Sequence, residues 1–440
     1  MRRERARVLL LGCDRYVLDA CVRLDVDAVV VCGTASRDDA LVRVPEQFPM
    51  LAVDSVLNPE SVLGALHRAG FGETEFDGVQ STDEWALVTA ALLAGHLGCR
   101  GPAPETVLRF RDKSLQKRRL AEAGIPVARC QVVEDVHDVS AVDPGLLPGV
   151  LKPVNGAGTA RTSVVRDAAE LAARSEEYRK LGLSQRTFLL EELVEGEEWI
   201  ADGFVFDGEL VFCAVGRYND PCLKVLNAEI PLCLRHFDPQ SEAAAYELAL
   251  PVVEGALRAL GLRDGVFHME LFHDPDAGSL VFGECAARRG GGLIHEQLQA
   301  KFNVNTAEAA LLCALGRRPE PVVKARPEVI GSTFLITPPG TVLDFPSPAE
   351  LCALPGVRFA RMERPRGQHY GAGLASTNQR IGQVLVSART EEELVERFEE
   401  VGRWYRERLL VLPEGLTGGE LRAWQRRHWP DKDYGDVLWT

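Results

Sequence analysis

No apolar run in the 440-residue chain approaches the roughly 20 residues that cross a bilayer, so no membrane partner is expected. The apolar segment Val8–Leu11 behind Met1-Arg-Arg-Glu-Arg5 is too short for a secretion signal. Cysteine occurs 11 times but never as C-x-x-C. That excludes the usual zinc and thioredoxin patterns and points to reduced thiols in a cytoplasm. Basic charge is in short supply, with 50 Lys and Arg against 64 Asp and Glu, a formal net charge of −14. Nucleic-acid binders need a basic surface, so no nucleic-acid partner is expected. The phosphate loop G-x-x-x-x-G-K-[ST] is missing, and after Leu11 one glycine, Gly12, stands where G-x-G-x-x-G would be. There is no repeat and no low-complexity tract.

What remains is ordinary for a globular enzyme: 46% hydrophobic and 26% charged residues. A chain of this length divides into two or three domains. The first hundred residues alternate apolar runs (Val8–Leu11, Ala28–Val31, Phe76–Gln80) with helix-like stretches (Arg15–Leu24, Ser61–Ala69, Asp83–Leu97). Such alternation predicts a parallel α/β sheet. A helix is expected over Asp112–Ala123, closed by Gly124 and Pro126. From Val150 short strands take over, with helices at Ala168–Lys180, Glu242–Leu260 and Thr306–Leu315, the pattern of an α+β unit. Pro319–Leu412 reads as strands plus a helix over Glu391–Leu409. The last 25 or so residues read as a surface helix or tail.

Four stretches carry chemistry: Phe110-Arg-Asp-Lys113; Leu151-Lys-Pro-Val-Asn-Gly-Ala-Gly158; Leu190-Glu-Glu-Leu-Val-Glu-Gly-Glu-Glu198; and His268-Met-Glu270 with Glu284-Cys-Ala-Ala-Arg288. Singly, each has a plain structural reading. A strand-end lysine snorkels, Asn-Gly-Ala-Gly turns, and acid runs or basic runs such as Lys117-Arg-Arg119 face water. Together they say more. Glu270 and Glu284 each close an apolar strand-like run, and two inward carboxylates repel unless a cation holds them. Mg²⁺ suits such oxygen ligands, and nucleotide phosphates complete its shell. Lys113 and Lys152 would add positive charge to those phosphates, and Gly156 and Gly158 would let backbone amides approach them.

In content and order these stretches resemble the ATP-grasp superfamily, most of all its carboxylate–amine ligases, over roughly residues 8–410. The resemblance implies an ATP-grasp fold, α/β and α+β, preceded by a Rossmann-like domain. It divides the chain into a pre-ATP-grasp domain (1–110), a small lobe (111–195), a large lobe with the metal site (196–318), a closing part of that lobe (319–412) and a tail (413–440). It implies that Lys113 and Lys152 bind phosphates and that Asn155, Gly156, Gly158 and Thr159 form a lid over them. Glu191, Glu192, Leu193 and Val194 would read adenine, and Glu198 would meet ribose. Glu270 and Glu284 would bind one or two Mg²⁺, with Mn²⁺ as a substitute. Arg288 and Lys152 would act in catalysis, Arg288 on the acyl phosphate. One departure stands out: many relatives have Glu-x-Asn where this chain has Glu284-Cys285-Ala286, and alanine cannot ligate.

The implied reaction joins a small carboxylate, such as an amino acid, to an amine through an acyl phosphate, as in dipeptide or natural-product assembly. Alternatives are a carrier-protein thiol or bicarbonate as co-substrate, and a catalytically silent ATP-binding regulator. A homodimer is the implied oligomeric state. For substrate the resemblance points to Glu84, an acid beside the amine-bearing substrate, with a helix-N-terminal acid as the structural alternative. It also points to Glu229, in a loop facing the acyl site, and to His295 at a helix start. His268, His273 and His295 are candidates to move an amine proton, with His268 also read as packing beside the metal strand. Gly371–Ser376 is either a closing segment or a turn.

Overall fold

The computed structural model describes residues 5–33, 44–371, 376 and 379–429, and all that follows concerns those residues. Strands β1 (Arg7–Leu11), β2 (Asp27–Gly33), β3 (Met50–Val53) and β4 (Gly78–Ser81) form a parallel sheet in the order β3-β2-β1-β4. Val8 to Leu11 are all buried, as expected for a parallel strand covered on both faces. Helices α1 (Arg15–Arg23), α2 (Pro59–Arg68) and α3 (Leu87–His96) follow the strands. The chain leaves β1 toward β2 on one side, while β4 lies on the other. The carboxyl ends of β1 and β4 therefore flank a topological switch point, the place where open α/β sheets form a crevice. Asp14 caps α1 there by accepting from the amides of Tyr16 and Val17, and Asp83 caps the short 3-10 turn Glu84–Ala86.

Helices α4 (Pro104–Arg111) and α5 (Lys113–Glu122) lead to a second sheet of β5 (Cys130–Val133), β6 (Gly149–Pro153), β7 (Ser163–Val165) and β8 (Phe188–Glu192), in the antiparallel order β5-β8-β6-β7. Helix α6 (Ala168–Lys180) packs on it through Leu171 and Tyr178. The third and largest sheet contains β9 (Glu197–Phe206), β10 (Glu209–Tyr218), β11 (Cys233–His236), β12 (Gly265–Asp274), β13 (Ser279–Ala286), β14 (Val329–Leu335), β16 (Val357–Met362) and β18 (Gly382–Ala388). On one face it buries Trp199, Ala201 and Val205 against α8 (Ala243–Leu260). On the other it buries Ile200 and Phe204 with α7 (Cys222–Ala228), α9 (Ile294–Phe302) and α10 (Thr306–Ala314).

Pairing of β11 with β14 makes the segment after Pro319 a continuation of this sheet. The small strands β15 (Gly340–Asp344), β17 (His369–Tyr370) and β19 (Leu410–Leu412) form a separate ribbon. The segment also holds a helix absent from the sequence reading, α11 (Pro348–Cys352), before the expected α12 (Glu391–Arg408). Helix α13 (Gly418–His428) has a capping box and buries none of its residues, so it is the expected surface helix. Residues 372–375 of the candidate closing segment lie outside the described residues.

Candidate active site

A cavity of about 560 Å³ opens where the crevice at β1 and β4 meets the second and third sheets. Its acids come from neighbouring strands. Glu270 on β12 stands directly opposite Glu284 on β13, and a bulge follows at once, with Leu271 pairing to Phe282 and Gly283 left over. A Cβ on Gly283 would lie 2.9 Å from the Glu270 carbonyl oxygen, so glycine is required for that approach. Glu270 also pairs with Ile200 on β9, which places Glu198, two residues away, on the same face.

Charges around these acids are arranged unequally. Lys113 Nζ lies 3.2 Å from Glu284, and burial, which would raise the Glu284 pKa, is outweighed by Lys113 and Lys152, bringing it to about 2. Glu198 has no such help: burial and then Glu270 push it up to about 8, although it accepts from the Cys222 amide at 2.8 Å. His268 lies between Asp202, at 2.9 Å, and Glu270, at 3.7 Å. Burial opposes its charge, yet Asp202 prevails and lifts its pKa to about 10. This matches the reading of His268 as packed beside the acids, and as an imidazolium it is no base.

Lys152, on β6, pairs with Glu191 at 3.0 Å, and the other oxygen of Glu191 meets Lys117 at 3.3 Å. The expectation that Lys117 faces water is overturned: it is 2% exposed and donates to the Phe282 carbonyl at 3.0 Å. Its signal was present in the sequence. Lys113, Gln116, Lys117 and Leu120 fall at helical spacing, and all four are buried. Glu191, Glu192, Leu193 and Val194 all line the cavity, but the Glu192 carboxylate turns away to Arg129 at 2.7 Å.

The glycine-rich segment is pinned at its root. The Lys113 amide donates to the Val154 carbonyl at 2.9 Å, Arg111 donates to that of Asn155, and Lys113 Nζ donates to that of Gly156 at 2.8 Å. Gly156, Gly158 and Thr159 line the cavity, whereas the Asn155 side-chain oxygen is buried away from it without a hydrogen-bond partner. Gly158 and Thr159 have φ of 59° and 57°, left-handed values that make a tight turn over the opening.

Arg288 lines the cavity and pairs with Glu84. Glu84 is 8% exposed and its second oxygen takes Arg111, so its carboxylate orients two arginines, which differs from the expected role as a free acid for an amine. Arg289 pairs with Asp14. His295, in the first turn of α9, lies tilted against the Tyr16 ring with centroids 4.3 Å apart and bonds Thr306 at 2.9 Å. Burial pushes its pKa down to about 3, too low for a useful base at neutral pH. His273 is held by Glu197 at 3.2 Å, and Arg217 joins Glu197 at 2.7 Å and Glu391 at 2.6 Å. Glu229 does not reach the site. It is exposed, caps the end of α7 with φ of 51°, and is absent from the cavity wall.

Among the described residues no three His, Cys, Asp or Glu side chains form a closed metal cage. Mg²⁺ needs none, since it takes one or two carboxylates and completes its shell with water and phosphate oxygens. A facing pair of glutamates with hard oxygen donors fits it, and Ala286, also on the cavity wall, leaves more of the shell to water.

Two family models match the chain: an ATP-grasp domain over residues 146–297 and the L-amino acid ligase C-terminal domain 2 over residues 333–403. An L-arginine-specific L-amino acid ligase of Bacillus subtilis is 29% identical over 287 residues, 64% of this chain and 68% of that protein. The crystal structure of an L-amino acid ligase from Bacillus licheniformis superposes with a TM-score of 0.74 at 19% identity, covering 94% of this chain and all (100%) of that one. An N5-carboxyaminoimidazole synthase from Aspergillus clavatus, in complex with ADP and 5-aminoimidazole ribonucleotide, gives 0.68 at 17% identity over 90% of this chain and 98% of that one. The chain thus carries an ATP-grasp domain and the C-terminal domain of L-amino acid ligases, and is similar to the carboxylate–amine ligases of the ATP-grasp superfamily. It is an enzyme that forms carbon–nitrogen bonds and uses ATP.

Proposed function

We propose that this protein condenses two amino acids, or an amino acid with a related acid, into an amide through an acyl phosphate, releasing ADP and phosphate. The observation that carries this reading is the cavity wall itself. Two facing glutamates, two lysines and an arginine meet there beneath a glycine-rich turn. The relatives named as L-amino acid ligases support amino acids as the substrates.

The residues divide the work as follows. Lys113 and Lys152 hold the phosphate chain, and the amides of Gly156–Thr159 cover it and exclude water. Glu191–Val194 receive adenine and Glu198 the ribose. Glu270 and Glu284 would hold one or two Mg²⁺, or Mn²⁺ in its place, and the ion would supply charge neutralisation at the transferring phosphoryl group. Arg288 fixes the anionic acyl phosphate where the amine attacks. Catalysis is then mostly positioning and charge offset. A cytoplasmic enzyme fits the 11 cysteines, all of them free thiols in the structure, and a homodimer belongs to the same reading. Nothing in the site favours a carrier thiol, bicarbonate or a silent regulator. The test is a screen of paired amino acids with ATP, reading ADP and product mass. A product one water lighter than the sum of its two substrates, formed in step with ADP, is expected. A thioester or carboxylated product would refute the amine acceptor.

A further inference from the structure

Arg111 ends α4, one step before the Asp112 cap of α5. Its guanidinium is almost fully buried and forks between two partners. One nitrogen meets Glu84, at the end of the first-domain crevice, and another donates to the Asn155 carbonyl, at the root of the glycine-rich turn. Its Cζ also lies 4.8 Å from the ring centroid of Trp85. Trp85 lines the cavity and is 48% exposed. Glu84 in turn holds Arg288. One side chain thus touches both the acid that aims Arg288 and the backbone that carries the turn.

We propose that Arg111 is a positioning residue that couples the placement of the glycine-rich turn to the aim of Arg288. This rests on the ligase reading above for what Arg288 and the turn do. The physical basis is the guanidinium fork. Its rigid plane can satisfy two acceptors at once in a fixed relation, which a single ammonium cannot do. Movement at the Glu84–Trp85 wall, where the crevice would admit substrate, therefore shifts the same group that anchors Asn155. Lys113 holds the carbonyls on either side of Asn155, so releasing Arg111 frees the middle of a three-carbonyl clamp without dismantling it.

The test uses the full chain and two readouts. Arg161 is exposed beyond the turn, so trypsin cleavage after it reports turn opening without any turnover. Arg111→Met is expected to be cut there on the order of tenfold faster than the native chain, with both held well below their own melting temperatures because losing a buried ion pair also lowers global stability. It is expected to lose about 10²-fold in kcat for amide formation, with more ADP released per amide. Arg111→Lys keeps the charge but not the fork, and should stay slow. It carries the same comparison should Arg111→Met not fold. Glu84→Gln should act in the same direction, and the double variant Glu84→Gln/Arg111→Met should be no worse than Arg111→Met alone. Native cleavage rates in the Arg111 variants, full activity in Arg111→Lys, or additive losses in the double variant would overturn the proposal. A native chain without turnover on any substrate pair would refute the ligase reading instead, and the cleavage rates would still decide the coupling.

Discussion

Lys117 shows how a residue escapes a reading made from composition. Beside two arginines it looks like a solvated run, yet the helix turns it inward to meet Glu191 and the Phe282 carbonyl. Burial lowers its pKa, and the Glu191 carboxylate opposes that shift. Lys117→Met would leave Glu191 with Lys152 as its one remaining ion-pair partner. We expect a loss of about 3–5 kcal/mol in unfolding free energy, read by denaturant titration. Glu284→Ala differs in kind. It should leave the fold intact by circular dichroism and cost about 10²-fold or more in ATP turnover, because a charge-neutralising group is removed at the reacting phosphate. Most proposed ligand-binding residues were legible because their types are chemically specific. Their partners were not: Asp202 beneath His268, Arg111 beneath Glu84 and Lys117 beside Glu191 are fixed by packing between segments far apart in sequence.

At the scale of elements, long helices and apolar strands were readable from periodicity and caps, as with α6, α8 and α12. The bulge at Gly283 was not, since an extra residue leaves no mark in an apolar run. Nor was the extent of α9, for which the sequence offered only a helix start at His295, just past the glycine run Gly290–Gly292. That run now has a steric reason at its first member. A Cβ on Gly290 would lie 2.5 Å from Asp202 Oδ1, 2.6 Å from Ile294 Cδ1 and 3.0 Å from His268 Nδ1. Gly290→Ala therefore pushes apart the Asp202–His268 pair and the start of α9. A loss of about 1–3 kcal/mol is expected from this overpacking, measured as a lowered melting temperature. Gly291, whose Cβ would meet nothing within 4 Å, is the control that should tolerate alanine.

For the whole molecule, the formal net charge of −14 extends into the cavity, where Lys113, Lys152, Arg288, Arg289, Arg361 and Arg380 stand among a larger number of Asp and Glu side chains. A polyphosphate would therefore enter it together with a divalent cation, not on surplus positive charge alone. No helix among the described residues is long and apolar enough to cross a membrane. The change from strand–helix alternation to short strands was legible near Val150, and in the structure a parallel sheet gives way to antiparallel ones from β5 onward. Pairing of β11 with β14, which sets Cys233 opposite Thr333, leaves no local trace in the sequence, and only the resemblance assigned 319–412 to the large lobe. Binding to the folded state alone adds stability, about 2.7 kcal/mol at a hundredfold excess over Kd. ATP with Mg²⁺ should thus raise the melting temperature, and a chelator should remove most of that rise. A rise that is the same with and without the chelator would count against Glu270 and Glu284 as metal ligands.

The central claim is that a carboxylate is activated by phosphoryl transfer within this cavity. It is tested most directly by supplying an amino acid whose carboxylate carries ¹⁸O, together with ATP and an amine-bearing partner. Phosphate released with each amide is expected to carry one ¹⁸O, transferred from the carboxylate. Unlabelled phosphate accompanying amide formation would contradict it.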